Sequence, residues 1–454
     1  MRVFWTLMHR YAGLIMAGFL FVSGVTGAII SWDHELDDVL NPHLMQAASA
    51  GTAQSPLALA EQIEARYPQV RVSFVPLHAE AGESLGFGIS ARVDPATQKL
   101  AEPGFNQLFL DPVSGAELGK REWGVIWPIT RETFVSFLYR LHYTLHIPEL
   151  WGIDHWGMWL MGGIAMIWTV DSFVGFYLTL PLRRRNAAAI TAAVARPSDD
   201  IADDRPVAVS KSWWQRWQPA WRVRWRCGSN KLNFDLHRAF SLWTWMLLFI
   251  LAFTAFSLNL YSEVFYPVLQ TVSQVTPSPF DTRTPADKHQ PIAPRWSYAD
   301  IVQRASDEAL QRKWLEPAGG VFYSQDFGIY GVSFFNPGDD HGAGGVGPAA
   351  LYYDALDGRL LGDRQPWKGT AADIFVQAQF PLHSGRLLGL PGRILISLMG
   401  IVVAMLSVTG VVIWWRKRAA RAAAQRRAVK DKETESRWAS AALLVRTMTR
   451  VKIR

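Results

Sequence analysis

Four stretches of the chain run free of charge for longer than a bilayer is thick: residues 11–32, 156–182 (interrupted only by Asp171), 239–262 and 394–415. Roughly 20 residues of helix cross about 30 Å of hydrocarbon, so each stretch predicts a membrane span. Between the first two stretches the pattern changes. Leu57, Ala60, Ile63 and Tyr67 recur at helical spacing between Pro56 and Pro68, and strand-like runs follow at 70–75, 85–91 and 107–110. Asp111-Pro112-Val113-Ser114-Gly115 then reads as a turn, with glycine supplying positive φ. The segment between the third and fourth stretches repeats the plan: a helix near 298–312, then strands near 320–323, 329–335 and 350–353, with a Gly- and Asp-rich loop at 336–348. Leu108-Phe109-Leu110-Asp111 with Gly115 and Gly119 is echoed by Leu351-Tyr352-Tyr353-Asp354 with Gly358 and Gly362.

The expected architecture is a membrane α-helical bundle of four transmembrane helices with two outer α+β domains, built by internal duplication. Its divisions are a first span (1–33), an outer domain (34–133), a second span with a His-bearing extension (134–183) and an inner loop (184–231). The same order follows as a third span (232–263), a second outer domain (264–373), a fourth span with a His-bearing start (374–416) and a tail (417–454).

Charge supplies the orientation. Residues 183–238 hold 12 Lys/Arg against 5 Asp/Glu, and residues 416–454 hold 13 against 3. The other two connections lean acidic, 8 against 16 in 33–154 and 11 against 14 in 263–393. Basic residues mark cytoplasmic loops, so both termini and the middle loop are expected inside. The net charge of +7 then reflects membrane topology rather than nucleic-acid binding. The first span reads as an uncleaved anchor. Interleaved Trp and Arg in 213–226 suit a membrane interface. Cys227 is the single cysteine, which excludes an intramolecular disulfide, a Cys-attached haem and an iron–sulfur site.

Histidines recur at the ends of the spans. His9-Arg10 opens the first and His237-Arg238 the third; His146 and His383 sit in matched Leu-His-x-x-x-Leu-x-Gly motifs before the second and fourth. Imidazole is a natural axial ligand for haem iron, and two facing histidines saturate it, which favours electron transfer. The topology pairs His9 with His237 for one haem and His146 with His383 for another, so two haems are expected as the cofactor. His142 lies one helical turn before His146 and is a rival ligand; one haem held by another combination also fits. Arg10 and Arg238 are candidates for haem propionates. Asp171, in mid-span where a carboxylate is costly, is a candidate for a hydrogen bond to a ligand or for proton transfer, and aligns with Thr409. Gly13, Gly18, Gly24, Gly27, Gly162, Gly163, Gly175, Gly400 and Gly410 would admit close approach of helices or a flat macrocycle. His155 has no counterpart in the second half. His34, His43, His78, His289 and His341 read as surface residues, with His289 and His341 as candidate substrate contacts.

The chain resembles the bacterial PepSY-associated transmembrane family, whose members include inner-membrane ferric-siderophore reductases. The likeness rests on His9-Arg10-Tyr11-Ala12-Gly13-Leu14, Ser23-Gly24-Val25-Thr26-Gly27-Ala28, His237-Arg238, both Leu-His-x-x-x-Leu-x-Gly motifs, Val408-Thr409-Gly410, and the outer segments ending at Gly119 and Gly362. The resemblance implies PepSY modules outside a bacterial inner membrane and b-type haem held by span histidines. It also implies electrons passed outward to a ferric siderophore. Asp171 departs from the small or hydroxyl residue expected there. No Gly-x-Gly-x-x-Gly follows a strand and no P-loop is present, so the donor is expected to be a quinol or a separate flavoprotein. Two other functions remain open at this stage: a non-enzymatic module that senses, inhibits or chaperones an exported partner, and a haem carrier or transporter.

Overall fold

A computed structural model describes residues 1–182 and 211–451, with side chains to residue 434. The Arg183–Arg185 cluster and the first part of the middle loop lie outside the described residues. In chain order the main helices are α1 (Arg2–Ile30), α2 (Asp33–Leu40), α3 (Pro56–Arg66), α4 (Arg131–Thr144), α5 (Trp156–Thr179), α6 (Trp213–Trp217), α7 (Ser229–Trp243), α8 (Trp245–Asn259), α9 (Tyr298–Gln311), α10 (Ala371–Ser384) and α11 (Gly389–Val451). The strands are β1 (Val70–Pro76), β2 (Leu85–Ala91), β3 (Gln107–Leu110), β4 (Glu117–Arg121), β5 (Ala318–Ser324), β6 (Ile329–Phe334), β7 (Ala349–Asp354) and β8 (Leu360–Arg364). Among the described residues, α1, α5 and α11 are long and apolar enough to cross a membrane, and α7 with α8 makes a fourth if the pair counts as one span. The third apolar stretch is therefore broken. Thr244 leaves helical geometry at φ −108°, ψ 9°, and no proline or glycine in the sequence signals it.

The chain divides into two compact units. The first comprises residues 1–21, 170–245 and 402–454. Here the Trp/Arg segment packs rather than floats: Trp217 and Ala220 join Leu242 in a small apolar cluster with Phe176, Leu180 and Trp221. Asp235, fully buried, locks that segment to α7 by accepting from Arg224 Nε (2.6 Å) and Nη2 (2.9 Å), with Arg238 Nη2 at 3.1 Å. Pairing of this kind offsets the cost of burying a carboxylate.

The second unit comprises residues 22–169 and 246–401. Its strands form one antiparallel sheet of eight, in the order β4-β3-β2-β1-β5-β6-β7-β8. Two separate α+β domains were expected; instead the two four-stranded halves join along β1 and β5, through Phe74↔Phe322, Val75↔Val321 and Pro76↔Gly320. They also share a core. Leu59, Ala60 and Ile63 of α3 and Ile301, Ala305 and Ala309 of α9 pack with Val70, Val72, Phe87, Val321, Val332 and Leu351. Pairing two short sheets along one edge removes two exposed edges, which would otherwise invite association.

The same unit fixes its helices to the sheet. Arg121 at the end of β4 forks onto Asp37 of α2 (2.8 and 2.7 Å) and reaches Glu132 O on α4 (3.2 Å). Arg393 of α11 forks onto Glu35 (2.7 and 2.6 Å), and that guanidinium holds the Glu35 carboxyl down at about 2. Capping boxes start α4 at Thr130 and Thr133, and α10 at Thr370 and Asp373, so both helices begin at defined residues. Gly400 lets α11 approach α1 closely, since a Cβ there would lie 2.4 Å from Gly24 O.

Candidate functional site

Each unit brings two imidazoles together. In the first, His9 of α1 and His237 of α7 have ring centroids 6.4 Å apart. In the second, His142 of α4 and His383 of α10 are 6.1 Å apart. The rings in each pair are tilted, at 56° and 58°, rather than stacked.

Each ring is held at Nδ1. His9 Nδ1 lies 2.9 Å from Asp171 Oδ2 on α5. His237 Nδ1 lies 3.0 Å from Thr409 Oγ1 on α11. His142 Nδ1 is 3.1 Å from Thr26 Oγ1 and 3.0 Å from Ser23 O, both on α1. His383 Nδ1 is 2.9 Å from Thr254 Oγ1 on α8. Asp171, Thr409, Thr26 and Thr254 are all buried.

These contacts fix the proton. A threonine hydroxyl has one hydrogen to donate, and each of these spends it on its own helix: Thr409 on Met405 O (2.8 Å), Thr26 on Val22 O (2.7 Å) and Thr254 on Ile250 O (2.7 Å). Each can therefore only accept from the imidazole. Asp171 Oδ2 and Ser23 O accept as well. All four rings accordingly carry hydrogen on Nδ1 and present the Nε2 lone pair. No hydrogen bond among the described residues reaches any of the four Nε2 atoms. A second group that sets the tautomer and orientation of a ligating histidine is the usual support of a metal site.

The separation suits a shared metal. Two imidazole–metal bonds of about 2 Å, each extended by about 1.1 Å to the ring centre, place the centroids about 6.2 Å apart. The observed 6.4 and 6.1 Å bracket that value. Glycines clear the adjoining space. A Cβ on Gly27 would lie 2.9 Å from His142 Cε1, on Gly410 3.2 Å from His237 Cε1, and on Gly175 3.4 Å from His9 Cε1. Gly175 is one turn beyond Asp171, so both lie on the same face of α5. The residues present fit a planar, bis-imidazole-ligated group at both pairs.

The remaining sequence candidates divide. The structure does not bring His146 to His383. Helix α4 ends at Thr144, and Leu145 and His146 both adopt positive φ (54° and 52°). The His146 ring then stacks on Phe137 at 4.6 Å and bonds Phe137 O at 2.8 Å. His142 and His146 therefore share no helical face. Arg238 is committed to Asp235 and to Pro219 O (2.6 Å), which leaves less of it for a propionate than expected. Arg10 follows His9 on α1. Of the other histidines, His43 bonds Glu132, His155 bonds Asp154, and His341 bonds Asp340 with its ring 5.3 Å from that of His34. Gly162 faces Leu260, whereas Gly13, Gly18 and Gly163 face nothing within 4 Å.

The supporting threonines are the part that sequence reasoning missed. Val-Thr-Gly occurs at 25–27 and again at 408–410. In both copies the hydroxyl takes the imidazole proton and the glycine clears its Cε1, so the repeated tripeptide was the available signal. A cavity of about 220 Å³ also opens beside α10, lined in part by Tyr261, Val346, Arg364, Gln377 and Gln379. Residues 6–417 match the family model described as the PepSY-associated TM region. No curated protein matches the chain.

Proposed function

The chain belongs to the PepSY-associated transmembrane family, and from that premise we propose that it is a multi-pass oxidoreductase of a bacterial inner membrane. In this proposal both termini face the cytoplasm and electrons pass to a ferric siderophore on the far side. The observation that carries it is the pair of imidazole pairs, each at bis-ligand separation with Nδ1 anchored and Nε2 free. His9 with His237, and His142 with His383, are the residues that would hold two b-type haems. Haem b held between two imidazoles would supply one-electron transfer with no open coordination position.

The chain's own residues do the rest. Thr26, Thr254, Thr409 and Asp171 hold the ring protons at Nδ1 and fix the ring planes. Gly27, Gly175 and Gly410 leave room beside the rings. The sheet and the cavity beside α10, with Arg364 on its wall, are the proposed seat for an anionic chelate, and the donor is a quinol or a separate flavoprotein.

The test uses the full chain in detergent, reduced anaerobically and mixed with an anionic ferric chelate such as ferric citrate and a ferrous-iron indicator. Reoxidation of the haem bands together with ferrous iron in the indicator is the expected result. Bands that stay reduced would remove the reductase activity. A colourless protein would favour a non-enzymatic module, and reversible haem binding with an open coordination position would favour a carrier.

A further inference from the structure

Three of the four imidazoles donate Nδ1–H to a neutral hydroxyl. His9 alone donates to a carboxylate, Asp171 Oδ2 at 2.9 Å. Asp171 is 5% exposed, its Oδ1 is buried without a partner, and its Oδ2 is hydrogen-bonded to the His9 ring. We propose that Asp171 is a positioning residue that acts through His9 to lower the midpoint potential of the His9–His237 site below that of the His142–His383 site. The inference rests on these histidines being axial ligands.

The physical cause is local. A carboxylate accepting from Nδ1–H draws the imidazole toward imidazolate character and raises its basicity at Nε2, a stronger effect than a hydroxyl exerts. A more basic axial ligand and a nearby negative charge both favour the ferric state over the ferrous state. Burial strengthens the charge effect, because few water dipoles screen it. The unpartnered Oδ1 matters here: no second hydrogen bond within the protein disperses the charge away from His9. The contrast is internal to the chain, since Thr409 supports the partner ring and Thr26 and Thr254 support the other pair through the same Nδ1 geometry. Asp171 thus sets the two sites apart, and an electron placed on the molecule settles at the threonine-supported pair.

The experiment is an optical redox titration of the purified full chain and of the variants Asp171→Asn, Asp171→Thr and Asp171→Glu, with haem content measured for each. Threonine is the informative replacement because the chain already uses it at the other three positions. The wild type is expected to titrate as two one-electron components of unequal potential. In Asp171→Asn and Asp171→Thr the lower component should rise toward the upper one, with the upper unchanged, and Asp171→Glu should restore the separation. In His142→Ala the lower component should remain. Neutral variants that keep both haems and titrate as the wild type would overturn the inference while leaving the ligand assignment standing. Loss of one haem from both neutral variants would make Asp171 a structural support and would also overturn it. A wild-type protein without haem would instead sink the proposed function itself.

Discussion

Replacing Gly27 by alanine tests whether the space beside an imidazole is built for that ring. The added Cβ would sit 2.9 Å from His142 Cε1, about 0.5 Å inside ordinary contact, so the ring must move. Its freedom is limited, since Nδ1 is tied to Thr26 Oγ1 at 3.1 Å and to Ser23 O at 3.0 Å on the same helix that carries the new methyl. Movement strains or breaks about one hydrogen bond, worth about 1 kcal/mol, and overpacking adds about 1–3 kcal/mol. Alanine returns up to about 1 kcal/mol of helix propensity. The balance is a loss of about 1–3 kcal/mol of stability, and where that strain is borne only with the ring in its ligating position it lowers haem affinity at that pair by up to about 150-fold. The assay is haem content per protein under competition from apomyoglobin, with thermal unfolding in parallel. A Gly27→Ala protein that keeps haem as well as the wild type would refute the reasoning.

Three further outcomes follow from the same geometry. His142→Ala should remove one haem, whereas His146→Ala, whose ring is spent on Phe137, should leave the spectrum and the haem count unchanged. Arg121→Ala should destabilise the second unit by up to about 3–5 kcal/mol, because it leaves a largely buried Asp37 carboxylate with the Asn41 amide but without its guanidinium, and chemical denaturation followed by near-ultraviolet circular dichroism reads the loss. Asp111 is held well below the usual carboxylate range by the backbone N–H of Ser114 first, and by Ser49 and Val113. A depressed folded-state pKa gives stability that is present above the unfolded value of about 3.9 and is lost as pH falls toward the folded value. Asp111→Asn should therefore melt lower than the wild type at pH 6, and the gap should narrow below pH 4.

Much of the molecule could be read in the sequence, and the failures share a cause. The apolar stretches located α1, α5, α8 and α11, and helical or alternating spacing located α3, α9 and most strands. Periodicity reports which face of an element is buried, but not which distant element covers it. Nothing in Val70–Pro76 or Ala318–Ser324 states that these edges pair with each other, so one sheet was expected as two. His146 misled for a local reason. The matched motifs align it with His383, but the left-handed residue that ends each helix is Gly385, two residues after His383, in one half and Leu145, one residue before His146, in the other. Leucine carries no signal for positive φ. The threonines escaped notice because hydroxyls in apolar helices routinely bond their own backbone; that bond is what turns them into acceptors for the histidines.

The most direct measurement is the absorption spectrum of the purified full chain before and after dithionite, with haem and protein quantified together. Two haems per chain, with the sharp reduced bands of six-coordinate low-spin iron lost one at a time in His237→Ala and His383→Ala, is the predicted result. A haem-free protein, or one whose haem spectrum survives both substitutions unchanged, would contradict the assignment of these four rings.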